Sequence, residues 1–168
     1  MKLYVYDHCP FCVRARMIFG LKNLPVELVV LANDDEATPI GLVGKKVVPI
    51  LVKEGGTAMP ESLDIVHYVD EYFGEKILSE HVRPEIEAWL KEVGNYYGHL
   101  TTARFTQIGL AEFETQSAVD YFTKKKTEFI GDFAENIAKT EIYLTRLKGD
   151  LEKLAVLIQS ENALNGQL

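Results

Sequence analysis

Apolar residues along this chain follow a mixed spacing in the first half and a helical spacing in the second. In the first half, short apolar runs bounded by turn residues predict four strands, at residues 3–6, 26–31, 47–52 and 57–59. Helical spacing predicts three helices between and after them, from Pro10 to about residue 21, at 38–43 and at 63–72. The resulting order, β-α-β-α-β-β-α, is that of a small α/β unit.

The same patterns predict which apolar side chains are buried. Residues Leu28 to Leu31 are apolar at every position, which is typical of a strand covered on both faces. The helix at 63–72 presents Leu63, Val66, Val69 and Tyr72 at helical spacing. The first helix offers a broad apolar surface, made of Val13, Ala15, Met17, Ile18, Phe19 and Leu21.

From Pro84 onward the spacing is helical throughout. The helix that starts at Pro84 carries apolar residues at i, i+3, i+4 and i+7, and we expect its Trp89 to be buried. A second helix is predicted at about 115–129. A third segment carries an aliphatic stripe that favours core packing over a coiled coil, because it barely reaches three to four heptads. The stripe consists of Ile137, Leu144, Leu147, Leu151, Leu154 and Ile158.

These patterns predict an α/β domain at residues 1–74, a linker at 75–83 and an all-helical domain at 84–168. The net charge of −7 and the pI near 5.1 argue against nucleic-acid or anionic membrane partners, which require clustered lysine and arginine. There is no apolar run of transmembrane length, and the first residues lack a signal-peptide pattern. We therefore expect a cytoplasmic protein.

The two cysteines of the chain are Cys9 and Cys12, in the tetrad Cys9-Pro10-Phe11-Cys12 between the first strand and the first helix. Proline favours the first helical position, so Cys9 is predicted at the N-cap, where unpaired backbone N–H groups stabilise a thiolate. Cys12 lies one turn on and on the same face. This arrangement predicts thiol-disulfide exchange, with Cys9 as nucleophile and Cys12 as resolving thiol.

Two alternatives involve the same cysteines. A zinc site begins with this spacing but needs four ligands, and the four histidines show no ligand spacing. Buried, inert cysteines are the second alternative. His8 beside Cys9 has a possible role in tuning the thiolate, but its loop position favours a solvent-facing side chain.

Three motifs occur in order along the chain: the Cys9–Cys12 tetrad, Val48-Pro49 and Pro60-Glu61-Ser62. An all-helical half follows them. In this order they resemble the glutathione-transferase-like glutaredoxins of bacteria, the glutaredoxin two family. The resemblance covers the whole chain. It implies a thioredoxin-like α/β domain followed by an all-α domain, as in glutathione transferases. The family's usual tetrad has tyrosine where this chain has Phe11, a change that removes one hydroxyl group.

The resemblance also implies a glutathione site formed by Pro10, Phe11, Val48, Pro49, Glu61 and Ser62. In it the Val48-Pro49 bond is cis, Pro49 shields the cysteines from metals, and the Val48 backbone pairs with the cysteine of glutathione. Ser62 receives the γ-glutamyl carboxylate and Glu61 lies near the ammonium group. From the residues alone, a proline at a strand start is the favoured interpretation of Pro49, and a helix cap is the favoured interpretation of Ser62.

The implied activity is a glutathione-dependent reduction of protein disulfides and of glutathionylated proteins, without a metal. Glutathione is the reductant, and disulfide-bonded or glutathionylated proteins are the partners. There are two alternatives to this activity. The protein could be a glutathione transferase, or a non-enzymatic binding module that holds a partner protein. Family members continue beyond Leu168 into further helices, so we expect an incomplete helical domain and a monomer, unless uncovered helical surface associates.

Overall fold

The first compact unit is built around a four-stranded sheet. A computed structural model of the chain describes residues 1–79, 81 and 83–166. The strands are β1 (Lys2–Val5), β2 (Glu27–Val30), β3 (Ile50–Val52) and β4 (Ala58–Pro60), in the order β2-β1-β3-β4. Strand β1 pairs parallel to β2 and antiparallel to β3, and β3 pairs antiparallel to β4.

Three helices accompany this sheet in the predicted order. They are α1 (Pro10–Leu21), α2 (Ala37–Val43) and α3 (Ser62–Tyr72), and α1 packs against α3. The parallel β1-α1-β2 crossover followed by an antiparallel β3-β4 pair is the thioredoxin-like arrangement that the resemblance implies. Predicted strand and helix positions agree with the structure, except that β3 begins only at Ile50, after a cis bond between Val48 and Pro49. The cis geometry expected from the resemblance is thus confirmed.

The predicted burial is wrong for several apolar residues. Strand β2 is an edge strand, and Leu28 is 43% exposed, so this apolar run is not covered on both faces. In α1 the buried residues are Cys12, Ala15, Ile18 and Phe19, whereas Val13, Met17 and Leu21 are exposed. In α3, Leu63 and Tyr72 are exposed, and the buried face consists of Ser62, Ile65, Val66, Val69 and Asp70. Spacing alone does not show which side of a helix packs against its neighbour.

A buried ion pair joins α1 to α3. The Lys22 ammonium lies 2.8 Å from the Asp70 carboxylate, and the two side chains are 5% and 2% exposed. Lys22 also donates to the main-chain carbonyls of Asp70 and Glu75. The pair holds the end of α1 against the last turns of α3.

The second compact unit is helical. It contains α4 (Pro84–Phe105), α6 (Phe133–Ala138) and α7 (Thr140–Ala155), which contact one another. Trp89 is half-buried, and its indole N–H donates to the Asp150 carbonyl at 2.6 Å. In the predicted aliphatic stripe, Leu144, Leu151 and Ile158 are exposed, so the core-packing prediction is wrong for them. The buried side chain that α7 does present is Asp150, which accepts a hydrogen bond from the Tyr96 hydroxyl.

Contacts within the chain divide it differently from the sequence pattern. One unit comprises Met1–Lys76 with Ile108–Phe122, and the other Ile77–Gln107 with Thr123–Leu168. Residues 108–122, which belong to the first unit although they follow most of it by many residues in sequence, contain a 3₁₀ helix (Ala111–Phe113) and the start of α5 (Gln116–Ile130). The predicted boundaries at residues 74 and 84 stay a prediction. Over the described residues, no helix has both the length and the apolar character needed to cross a membrane.

Candidate active site

Cys9 is the N-cap of α1, as the sequence predicts. Pro10 occupies the first turn, and the backbone of Cys9 is extended while the residues after it are helical. Since the first N–H groups of a helix have no partner inside it, they point toward the Cys9 side chain and favour negative charge there. Cys9 is half-buried, so part of this residue remains accessible to solvent.

Cys12 lies behind Cys9 and is 0% exposed. Its sulfur accepts a hydrogen bond from the Tyr6 N–H at 3.4 Å, which ties it to the end of β1. The Cys12 thiol donates a hydrogen bond to the Cys9 sulfur, so the two sulfurs are adjacent, as the exchange chemistry requires. Both cysteines are reduced in this structure.

The electrostatics separate the two thiols. The hydrogen bond from Cys12 lowers the pKa of Cys9 to about 6; burial opposes this shift, whereas the backbone N–H groups of Cys12 and Phe11 and the His8 ring support it. The same hydrogen bond, together with burial, raises the pKa of Cys12 far above its usual range. At neutral pH Cys9 is therefore the thiolate and Cys12 the proton donor beside it.

We expect the alkylation rate of Cys9 in the reduced protein to rise with pH and to reach half its maximum near pH 6. Cys12 reacts slowly over the same range because it stays protonated and buried. The lowered pKa of Cys9 also stabilises the fold: this contribution is complete above the unfolded thiol pKa of about 8.5 and is lost progressively as the pH falls to about 6.

Iodoacetamide labelling with mass spectrometry, which assigns each adduct to its cysteine, measures both rates between pH 4 and 9. A Cys9 midpoint near 8.5 would contradict the lowered pKa and would favour the binding-module alternative.

A cavity of about 410 Å³ lies at the start of α1 and α3. Of the predicted glutathione contacts, Phe11, Val48, Pro49, Glu61 and Ser62 line it. Pro10 is exposed at the start of α1 and is not among the lining residues. The sequence analysis did not identify four further lining residues, Arg14, Val47, Leu63 and Asp64.

Ser62 is buried at the first position of α3 and does not cap the helix. The N-cap is Glu61, which makes no side-chain capping bond, so the capping alternative for Ser62 is wrong. The Ser62 hydroxyl oxygen accepts a hydrogen bond from the Arg14 guanidinium at 3.4 Å. Ser62, at the start of α3, and the positively charged Arg14 thus line the same cavity, a combination suited to a carboxylate.

Glu61 has a left-handed backbone, with φ of 71°, a conformation that costs free energy in a non-glycine residue. Its carboxylate lies 2.8 Å from the Lys45 ammonium, and both side chains are exposed. The cavity therefore carries positive charge from Arg14 and an exposed acidic group from Glu61. Sequence spacing gave no signal for Arg14, which enters the site only because α1 and α3 start side by side.

Comparison with known proteins places these features in a family. A family profile described as "Glutaredoxin 2, C terminal domain" matches residues 85–168, and one described as "Glutathione S-transferase, N-terminal domain" matches residues 3–76. Glutaredoxin 2 of Escherichia coli K12 is 49% identical over 168 residues, which is 100% of this chain and 78% of that protein. The chain belongs to the glutaredoxin 2 family. The predicted resemblance is confirmed.

Solved structures agree with the glutaredoxin 2 assignment. Glutaredoxin 2 from Salmonella typhimurium, solved in complex with glutathione, has a TM-score of 0.97 and 50% identity, covering 99% of this chain and 77% of that one. The glutathione transferase GSTFuA3 from Phanerochaete chrysosporium has a TM-score of 0.63 at 14% identity, covering 90% of this chain and 72% of that one. The latter likeness shows the shared fold alone, and the predicted fold class is confirmed.

His8 is the site residue on which the sequence prediction was wrong. Its side chain is 11% exposed rather than solvent-facing, and its Nδ1 lies 2.7 Å from Oε1 of Glu112. Glu112 is 104 residues away in sequence, on the 3₁₀ helix that joins the first unit. No sequence signal marks this pair. Over the described residues, no cluster of three or more His, Cys, Asp or Glu side chains is arranged to hold a metal ion.

Proposed function

We propose that this glutaredoxin 2 family member reduces protein disulfides and glutathione mixed disulfides, with glutathione as the reductant. Membership of the family supports glutathione-dependent oxidoreduction as the reaction class. The observation that carries the proposal is the pair of adjacent thiols in which one sulfur is accessible and ionised and the other is buried and protonated. If the reaction were instead the conjugation of glutathione to an electrophile, Cys12 would have no role.

The reaction begins when the Cys9 thiolate attacks one sulfur of the substrate disulfide. A bond forms between Cys9 and that sulfur, the substrate S–S bond breaks, and the other sulfur leaves as a thiolate that takes up a proton. Cys12 then loses its proton and attacks Cys9, which releases the second substrate thiol and leaves a Cys9–Cys12 disulfide. One glutathione thiolate then attacks the Cys9–Cys12 disulfide, which forms a bond to Cys9 and releases the Cys12 thiol. A second glutathione attacks the glutathione sulfur of this mixed disulfide, which forms oxidised glutathione and releases the Cys9 thiolate.

We propose that glutathione occupies the cavity lined by Phe11, Val48, Pro49, Glu61 and Ser62. The γ-glutamyl carboxylate binds the Ser62 hydroxyl and the N-terminus of α3, where Arg14 adds positive charge. Glu61 faces the ammonium group, and the Val48 backbone pairs with the cysteine of glutathione. The Salmonella relative was solved with glutathione, which supports this choice of ligand.

Two assays on the reduced wild-type protein test the proposed reaction. One follows glutathione-dependent reduction of a small mixed disulfide of glutathione, coupled to glutathione reductase, and the other follows conjugation of glutathione to an aromatic electrophile. We expect turnover in the first assay and much slower conjugation. Conjugation faster than disulfide reduction would contradict the proposal and favour the transferase alternative.

Replacement of Ser62 by alanine is expected to raise the KM for glutathione about tenfold, because the carboxylate loses a charge-assisted hydrogen bond. The kcat is expected to change little, since Ser62 is not one of the two thiols that exchange. Steady-state kinetics with varied glutathione measures both constants. Exposed Ser79, replaced in the same way, is the matched control; an unchanged KM in Ser62→Ala would remove Ser62 from the proposed site.

A further inference from the structure

The ring of His8 is enclosed next to the nucleophile. The Tyr6 ring stacks on it with centroids 5.6 Å apart and planes 10° apart, and the Phe113 ring stacks with centroids 5.3 Å apart. Phe122 contacts it edge-on at 5.2 Å. These three aromatic contacts fix the orientation of the His8 ring. His8 directly precedes Cys9 in the chain.

One oxygen of Glu112 holds both the backbone and the ring of His8. Oε1 accepts the His8 N–H at 3.0 Å and lies 2.7 Å from the ring Nδ1. Burial raises the pKa of the Glu112 carboxyl, but the hydrogen bonds from His8 and from nearby backbone N–H groups lower it further, to below its usual range. Glu112 is therefore ionised. Because an ionised carboxylate only accepts hydrogen bonds, Nδ1 of His8 carries a proton.

Stability does not explain a carboxylate at this position. Glu112 is 0% exposed, and among the described residues its Oε2 has no hydrogen-bond partner. Burying a charge in this way costs free energy that an apolar side chain of the same size would avoid. The Glu112 backbone is nevertheless fixed in place, because its carbonyl accepts the Asn33 N–H at 2.9 Å. The buried charge is thus held at a set point relative to His8.

The other ionisable groups around His8 do not supply a competing charge. Asp7 is paired with Arg16 at 2.8 Å. Burial raises the pKa of Tyr6, and burial with a hydrogen bond to Glu36 raises that of Tyr121 to about 12, so both phenols are neutral at pH 7.

We propose that Glu112 is a positioning residue that holds the His8 ring beside Cys9, with the ring Nδ1–H on its carboxylate, so that the ring stabilises the Cys9 thiolate in addition to the helix N-terminus. Of the proposed function, it assumes only that Cys9 is the reactive thiol. Glu112 lies outside the segment that carries the cysteines, so the segment 108–122 becomes part of the redox site. Its role is to set the fraction of Cys9 that is ionised at a given pH.

Two substitutions in the full chain test this role through the alkylation rate of Cys9, which requires neither glutathione nor a disulfide substrate. Glu112→Gln keeps the shape but removes the charge, and His8→Phe keeps the aromatic stack but removes the imidazole. For each variant we expect the pH midpoint of alkylation to rise by about one unit and the rate at pH 6 to fall about fivefold. In the double variant we expect no further shift, because the two residues act as one unit.

Glu114→Gln is the matched control, since Glu114 is exposed two residues away. A Glu112→Gln protein that folds with a lower thermal midpoint but an unchanged alkylation midpoint would overturn the proposal and leave Glu112 a structural role. Additive shifts in the double variant would overturn it also. If a single variant does not fold, the test uses the double variant, which has no unpaired buried charge. An alkylation midpoint equal to that of the wild type in this double variant would refute the proposal. Absence of glutathione-dependent turnover in the wild-type protein, with its Cys9 alkylation midpoint still near pH 6, would instead count against the proposed function.

Discussion

Replacement of Cys9 by serine is expected to lower the reduction of a small glutathione mixed disulfide at least about a thousandfold, because a hydroxyl in this place is neither ionised at neutral pH nor able to form the mixed disulfide. No other described cysteine is accessible, since Cys12 is fully buried. We expect the Cys9→Ser protein to lose turnover while it keeps its fold, which circular dichroism checks. Activity near that of wild type would end the proposed mechanism.

Cys12→Ser is the matched control for this experiment. It keeps the nucleophile but removes the thiol that would resolve the mixed disulfide, while its hydroxyl can still donate to the Cys9 sulfur. We expect this variant to retain part of the activity on glutathione mixed disulfides. Comparison of its activity on a protein disulfide with that on a mixed disulfide separates the two-cysteine route from the one-cysteine route.

The second large effect concerns the ion pair of Lys22 and Asp70. Asp70→Leu is expected to lower the free energy of unfolding by about 3–5 kcal/mol, because it leaves the Lys22 ammonium buried without a counter-charge. The double variant Lys22→Met/Asp70→Leu is expected to recover most of this loss, since an apolar pair fills the same place without a charge. Urea denaturation followed by circular dichroism measures both.

The pair formed by Lys2 and Glu27 is the control for that comparison. Its atoms are 3.0 Å apart, but both side chains are half exposed, so water screens the interaction. Glu27→Gln is expected to leave the unfolding midpoint unchanged within error. A Glu27→Gln effect as large as that of Asp70→Leu would show that burial does not set the strength of ion pairs in this fold.

Features that depend on a few neighbouring residues were predictable from the sequence. Proline starts both α1 and α4 at the predicted residues, Pro10 and Pro84, because its fixed φ suits the first helical turn. The place of Cys9 at the N-cap follows from the same local rule. Burial was harder to predict, since Leu28 lies in an apolar run and Leu144 in an aliphatic stripe, yet both are exposed in the structure.

The resemblance added what local rules do not contain, namely that Val48-Pro49 and Ser62 come to the start of α1. Once the fold is known, the reason is plain: the segments before β3 and before α3 end at the same edge as the start of α1, so residues far apart in sequence line one cavity. Arg14 and Lys45 enter the same region without any motif that would have marked them.

The sequence by itself determined the chemistry of this protein, because a thiol at a helix start and a second thiol one turn later are set by the backbone of four consecutive residues. Only the tertiary structure decided what surrounds those thiols. His8 lies against Glu112 because residues 108–122 pack with the first unit, and no spacing along the chain encodes a contact across 104 residues. Local backbone preferences act over a few residues, whereas such a meeting depends on how whole elements pack.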